Sequence, residues 1–231
     1  MTELPAAVLW DMDGTLVDTE PYWLRAESEL VQSHGGAWSA QDGLALVGSG
    51  LWHSAKVLQG RGVALTEDEI VTALTDRVLE QIRVEVPWRA GVVDLLRELH
   101  QAGVRMAMVT MSVRRMAEHV AAALPFPAFD VILPGDEVTH SKPHPEPYQR
   151  AAELLGLAPQ RCVAIEDSAP GLASAGAAGA VCVGVPLHVP LPPSAGYILW
   201  DSIEGKTTQD VAAAFSAATE ASALAIPRGV A

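Results

Sequence analysis

Asp11 and Asp13, separated by one residue where the apolar run Val8-Leu9-Trp10 stops, are the side chains of this sequence best placed to do chemistry. Gly14 follows and lets the chain turn away at once. Two carboxylates this close repel each other, and a strand end gives them little water, so a cation is the natural way to keep both ionised. A divalent metal is expected, and magnesium best suits oxygen ligands. Taken alone, Asp-x-Asp-Gly fits a solvated Asx turn equally well. Three further stretches strengthen the case. Val104 to Val109 ends in Thr110-Met111-Ser112, a hydroxyl and free N–H groups at a helix start, suited to an anion. Lys142 lies in Ser141-Lys142-Pro143-His144-Pro145, where two prolines stiffen the loop and can hold the ammonium near developing negative charge. Ile165 is followed by Glu166-Asp167-Ser168, more hard oxygen ligands for magnesium.

The elements needed to bring these residues together can be read from periodicity. Trp23, Ala26, Leu30 and Val31 mark a helix from Pro21 to Ser33, and two further helices are expected over Ala40 to Gln59 and Thr66 to Val84. The last opens with Thr66-Glu67-Asp68-Glu69, a capping box. No strand interrupts them, so residues 19–87 read as a helical cap inserted into an α/β core made of 1–18 and 88–222, with a return hinge around Val86 to Gly91. From Gly91 helices alternate with strands at Val104 to Val109, Asp130 to Leu133, Arg161 to Ile165 and Ala180 to Val185, the pattern of a Rossmann-like doubly wound parallel sheet. The crevice at the carboxyl ends of such strands is where ligands bind. The small-residue stretch Gly171 to Gly179 is expected to pack a helix closely on the sheet. A short run Tyr197 to Trp200, a helix from Gln209 to Glu220 and a flexible tail over 223–231 complete the reading.

Composition narrows the partners. The 28 acidic residues against 15 basic ones give a formal charge of -13, which would repel a nucleic-acid backbone, and no basic patch offsets it. The apolar runs are too short to span a membrane, and the start lacks a basic leader, so a cytoplasmic protein is expected, a monomer or weak dimer. Cys162 and Cys182 sit inside apolar runs and read as buried thiols. His100, His119, His140 and His188 read as surface or loop residues, none forming a metal-binding pair, and His144 as shaping the Lys142 loop.

Asp11-Met12-Asp13-Gly14-Thr15, Thr110, Lys142-Pro143 and Glu166-Asp167, in that order, resemble the four motifs of the haloacid dehalogenase superfamily. The helical block is similar to that superfamily's small α-helical cap. Asp18-Thr19-Glu20-Pro21 and the Ser141 to Pro145 loop resemble its sugar-phosphate phosphatase and β-phosphoglucomutase-like branch. The resemblance implies an aspartyl-phosphate on Asp11, a general acid and base at Asp13, a phosphoryl clamp from Thr110 and Lys142, and magnesium held by Asp11, Asp13, Glu166 and Asp167. It implies a small phosphorylated metabolite as substrate. Glu20, Trp52 and His53 of the cap, with Met111 and Ser112, are the expected substrate contacts, and Lys56 is the cap lysine a phosphonate hydrolase would use in a Schiff base. Mutases of the branch carry a histidine where this chain has Trp23 and an arginine where it has Leu51, departures that favour a phosphatase.

Overall fold

In the computed structural model, which describes residues 3–194 and 196–225, a buried strand β1 (Ala7–Trp10) leads straight to Asp11. Helices α1 (Glu20–Ser33), α2 (Ala40–Leu44), α3 (Leu51–Gly60) and α4 (Glu67–Val84) come next. The expected single helix over Ala40 to Gln59 is therefore two. Gly48 takes a left-handed φ of +76°, where the chain turns between α2 and α3. Capping boxes start α2, from Ser39 and Asp42, and α4, from Thr66 and Glu69.

The chain then returns to β1. Val17 bridges Trp88, the Asp18 N–H donates to the Pro87 carbonyl at 2.8 Å, and the Arg89 N–H to that of Leu16 at 3.0 Å. The outgoing and returning segments thus hold each other beside the strand end. Beyond them run α5 (Val92–Gln101), β2 (Arg105–Val109), α6 (Arg114–Ala122), β3 (Val131–Leu133), α7 (Glu146–Leu154), β4 (Cys162–Glu166), α8 (Ala169–Ala178), β5 (Val181–Gly184), β6 (Ile198–Leu199) and α9 (Thr208–Ala225). The last helix continues past Glu220 to Ala225; the rest of the expected tail lies outside the described residues.

All the strands are parallel, in the order β3-β2-β1-β4-β5-β6. Side chains alternate across a strand, so β1 sends Val8 and Trp10 to one face and Ala7 and Leu9 to the other. The first face is covered by Leu95, Leu96 and Leu99 of α5, Met116 and Val120 of α6, and Val211 and Phe215 of α9. The second is covered by Tyr148, Ala151 and Ala152 of α7 and Leu172 and Ala175 of α8. Cys162 and Cys182 are buried free thiols. Among the described residues, no helix is long and apolar enough to cross a membrane.

Candidate active site

The central strands β1, β2 and β4 end side by side, which brings Asp11, Thr110 and Glu166 to one crevice although more than 150 residues of chain separate the first from the last. Lys142 reaches in from its loop. Its Nζ donates to Asp11 Oδ1 at 2.7 Å, to Glu166 Oε1 at 2.6 Å and to the Val109 carbonyl at 3.0 Å. Its side chain is 2% exposed, so these bonds are made away from water. Burial alone would lower the ammonium's pKa, but the two carboxylates outweigh it and hold the pKa above its ordinary value.

Glu166 is fully buried and shared. The Tyr148 hydroxyl donates to Oε1 at 2.7 Å, and the Ser168 hydroxyl to Oε2 at 3.0 Å. Burial, reinforced by the charge of Glu166, raises the Tyr148 phenol well above its usual value, which keeps it a donor. Helix α8 can start over this carboxylate because Gly171 has no side chain; a Cβ there would overlap Glu166. The Gly-Ala stretch packs closely, as its composition suggests, and the contact is with a polar group of the site.

Asp11, Glu166 and Asp167 bring one oxygen each within 4.8 Å of one another. Asp11 Oδ2 is buried and has no hydrogen-bond partner among the described residues, a costly arrangement that a cation would relieve. Burial first, then the charge of Glu166, pushes the Asp11 carboxyl up to about 7; burial first, then Asp11 and Glu166, does the same more strongly to Asp167. Hard oxygens, an orphaned lone pair and carboxyls pressed together are the donor set of a divalent cation such as magnesium. The residues present fit that ion.

Asp13 is held differently. Oδ1 accepts from the Thr19 hydroxyl at 2.6 Å and the Trp23 indole at 3.0 Å; Oδ2 accepts from Ser112 at 2.8 Å and Thr110 at 3.2 Å. Thr19 and Trp23 come from the start of the helical block and Thr110 and Ser112 from the end of β2, so this carboxyl ties block to sheet.

A cavity opens above these groups. Asp11, Asp13, Met111, Ser112, Lys142, Asp167 and Ser168 line its floor, and Glu20, Trp23, Glu27, Leu46, Leu51 and Ser54 are part of its roof. Of the expected substrate contacts, Glu20, Met111 and Ser112 line it. Trp52 and His53 do not: the Trp52 indole donates to Asp68 at 2.8 Å, and His53 is exposed. Lys56 is exposed as well and faces Glu67 at 3.8 Å. His140, expected as a surface or loop residue, and His144, expected to shape the Lys142 loop, stack at 4.4 Å beside Glu146. That carboxylate is engaged by the Thr139 and His140 N–H groups, at 2.7 and 2.9 Å, and serves as a loop brace.

Sequence reading missed Glu27 altogether. It shares one face of α1 with Glu20 and Trp23, spaced i, i+3, i+7. That spacing was the available signal.

Comparison with known proteins agrees with this geometry. A family model described as haloacid dehalogenase-like hydrolase matches residues 5–179. The chain is 36% identical over 200 residues to the protein CbbY of Rhodobacter capsulatus, covering 81% of this chain and 85% of the relative. It is 35% identical over 202 residues to hexitol phosphatase A of Escherichia coli, covering 79% and 84%. Among solved structures, CbbY of Rhodobacter sphaeroides, a mutant in complex with xylulose-(1,5)bisphosphate, superposes with a TM-score of 0.80 at 32% identity, over 87% of this chain and 96% of that one. A strand end that carries two carboxyls, a buried lysine, a paired acidic turn and a family match over most of the chain converge: this protein belongs to the haloacid dehalogenase-like hydrolase family.

Proposed function

We propose that the chain is a magnesium-dependent phosphomonoester hydrolase that acts on a small sugar phosphate through an aspartyl-phosphate on Asp11. The observation that carries this reading is the buried Asp11, whose Oδ1 is held by Lys142 while Oδ2 has no partner among the described residues. Relatives named for hexitol phosphatase and fructose-1-phosphate phosphatase activity support the substrate class.

Asp11 attacks the phosphorus, and the bond from phosphorus to the leaving oxygen breaks as Asp13 passes that oxygen a proton. Asp13 then takes a proton from water, which attacks the acyl phosphate, frees orthophosphate and restores the Asp11 carboxylate. Lys142 and the Thr110 hydroxyl hold the phosphoryl oxygens. Asp11, Asp167 and the backbone carbonyl of Asp13, assisted by Glu166, would hold the cation, which when bound neutralises charge between carboxylate and phosphate. The cap over residues 19–87 excludes water and supplies contacts to the leaving group.

Two alternatives fit less well. A β-phosphoglucomutase-type reaction must shield the aspartyl-phosphate from water, and Trp23 and Leu51 stand where mutases place a histidine and an arginine. A phosphonate hydrolase needs a cap lysine at the reacting carbon, and Lys56 lies outside the cavity. The test is phosphorus NMR of an aryl phosphate and of β-glucose 1-phosphate with enzyme and magnesium. Release of orthophosphate from both is expected; accumulation of glucose 6-phosphate would establish a mutase instead.

A further inference from the structure

The roof of the cavity has an unusual charge for a site that receives a phosphate ester. Glu20 and Glu27 face it from one stripe of α1, with Trp23 between them. They stand seven positions apart, about 10 Å along the helix axis. Glu27 is only 5% exposed. The Trp38 indole donates to its Oε2 at 3.1 Å, while Oε1 accepts no bond from the described residues. Helix α2 closes against this carboxyl at Gly43, where a Cβ would lie 3.0 Å from Oε2.

Among the described residues, no cation offsets the pair. Lys142 is the one basic residue lining the cavity, and it is committed to Asp11 and Glu166. Arg61 stacks on the Trp38 ring at 5.7 Å, but its guanidinium is paired with Asp42 at 2.5 Å. A leaving group with its own phosphate would therefore meet two carboxyls and no counter-charge, an arrangement that suppresses binding strongly. Hydroxyls suit the pair better, since a carboxyl in either protonation state can accept from them and a neutral one can also donate.

We propose that Glu20 and Glu27 select the leaving group: the roof takes an uncharged, polyhydroxylated leaving group, as in a sugar or hexitol monophosphate, and rejects one that carries a second phosphate. This rests on the hydrolase reading above. Burial supports it, pushing Glu27 up to about 7 and Glu20, beside Glu27 and Asp13, up to about 8. Near pH 7 Glu20 is then mostly neutral and Glu27 about half ionised, so the pair does not demand a full cationic partner.

The test measures ligand affinity in the Asp11→Asn protein with magnesium, by calorimetry, so that nothing turns over. Fructose 6-phosphate should bind about 100-fold more tightly than fructose 1,6-bisphosphate, and glucosamine 6-phosphate no more tightly than glucose 6-phosphate. Glu27→Lys should cut the preference for the monophosphate to within about threefold, and the milder Glu27→Gln should reduce it part of the way. Equal or tighter binding of the bisphosphate, a tenfold gain for the amino sugar, or an unchanged ratio in both Glu27 variants would each overturn the assignment. Turnover of an aryl phosphate by the wild-type protein checks the hydrolase reading separately. Its absence, with the binding ratios intact, would sink the chemistry and leave the selectivity standing.

Discussion

The indole Nε1 of Trp23 donates to Asp13 Oδ1 over 3.0 Å, so the first helix over the site grips the carboxyl proposed to move the proton. Because Thr110 and Ser112 grip the same carboxyl from the sheet, its position depends on how helix and sheet meet. Trp23→Phe keeps the ring packing and removes only the donor. It should lower kcat about tenfold for alkyl phosphates, whose leaving oxygen needs a proton, and much less for an aryl phosphate. Steady-state kinetics on both substrate types check this; equal losses would mean that Trp23 acts only through packing.

Asp11→Asn should remove essentially all turnover while leaving the fold in place, because the amide conserves volume but cannot form the acyl phosphate. Orthophosphate release and circular dichroism are the two readouts. Chelation should stop the wild-type reaction and added magnesium restore it.

Gly171→Ala sets two effects against each other. Alanine is favoured over glycine by roughly 1 kcal/mol in a helix interior and by less in the first turn, where Gly171 sits. Here its Cβ would overlap the Glu166 carboxylate, so a net loss of about 1 to 3 kcal/mol is expected. Urea unfolding measures it. The magnesium concentration for half-maximal activity should rise as well, since Glu166 must shift.

Glu27 makes stability depend on pH. Its carboxyl titrates at about 7 in the folded chain, against 4.5 for a free side chain, chiefly because it is buried. Between those values the folded chain keeps a proton that the unfolded chain has released. Stability from this group is therefore full below pH 4.5 and is lost as pH rises through 7. Glu27→Gln cannot titrate and should flatten the decline by about 2 to 3 kcal/mol. Denaturant melts of both proteins at pH 5 and pH 8 give the comparison.

Much of this was visible in the chain itself, for reasons that differ by residue. Asp11, Thr110 and Glu166 could be placed because each ends an apolar run, and parallel strands put their carboxyl ends on one edge. Thr66 and Glu69 announce a helix start through purely local hydrogen bonds. Glu27 was overlooked because an acidic residue between Ala26 and Leu30 reads as the wet margin of a helix; only Trp38 and Gly43, brought in by the fold, make it a buried wall. Trp52 and His53 were misplaced for a related reason: the break at Gly48 re-aims α3, and a helix's rotation about its axis is settled by packing. The bond from Tyr148 to Glu166 joins different elements and leaves no local trace.

Gly48 and Gly50, in the turn before α3, come so near the core that a Cβ on either would stand 2.7 Å from the Ser168 hydroxyl or 2.9 Å from that of Ser141. At Ser141 and Ser168, then, the helical block meets the core through main chain. If turnover requires this contact to part, the turn and the helices attached to it must move together through solvent. The toll on each catalytic cycle is hydrodynamic, and if it limits the rate, kcat will fall as sucrose thickens the medium.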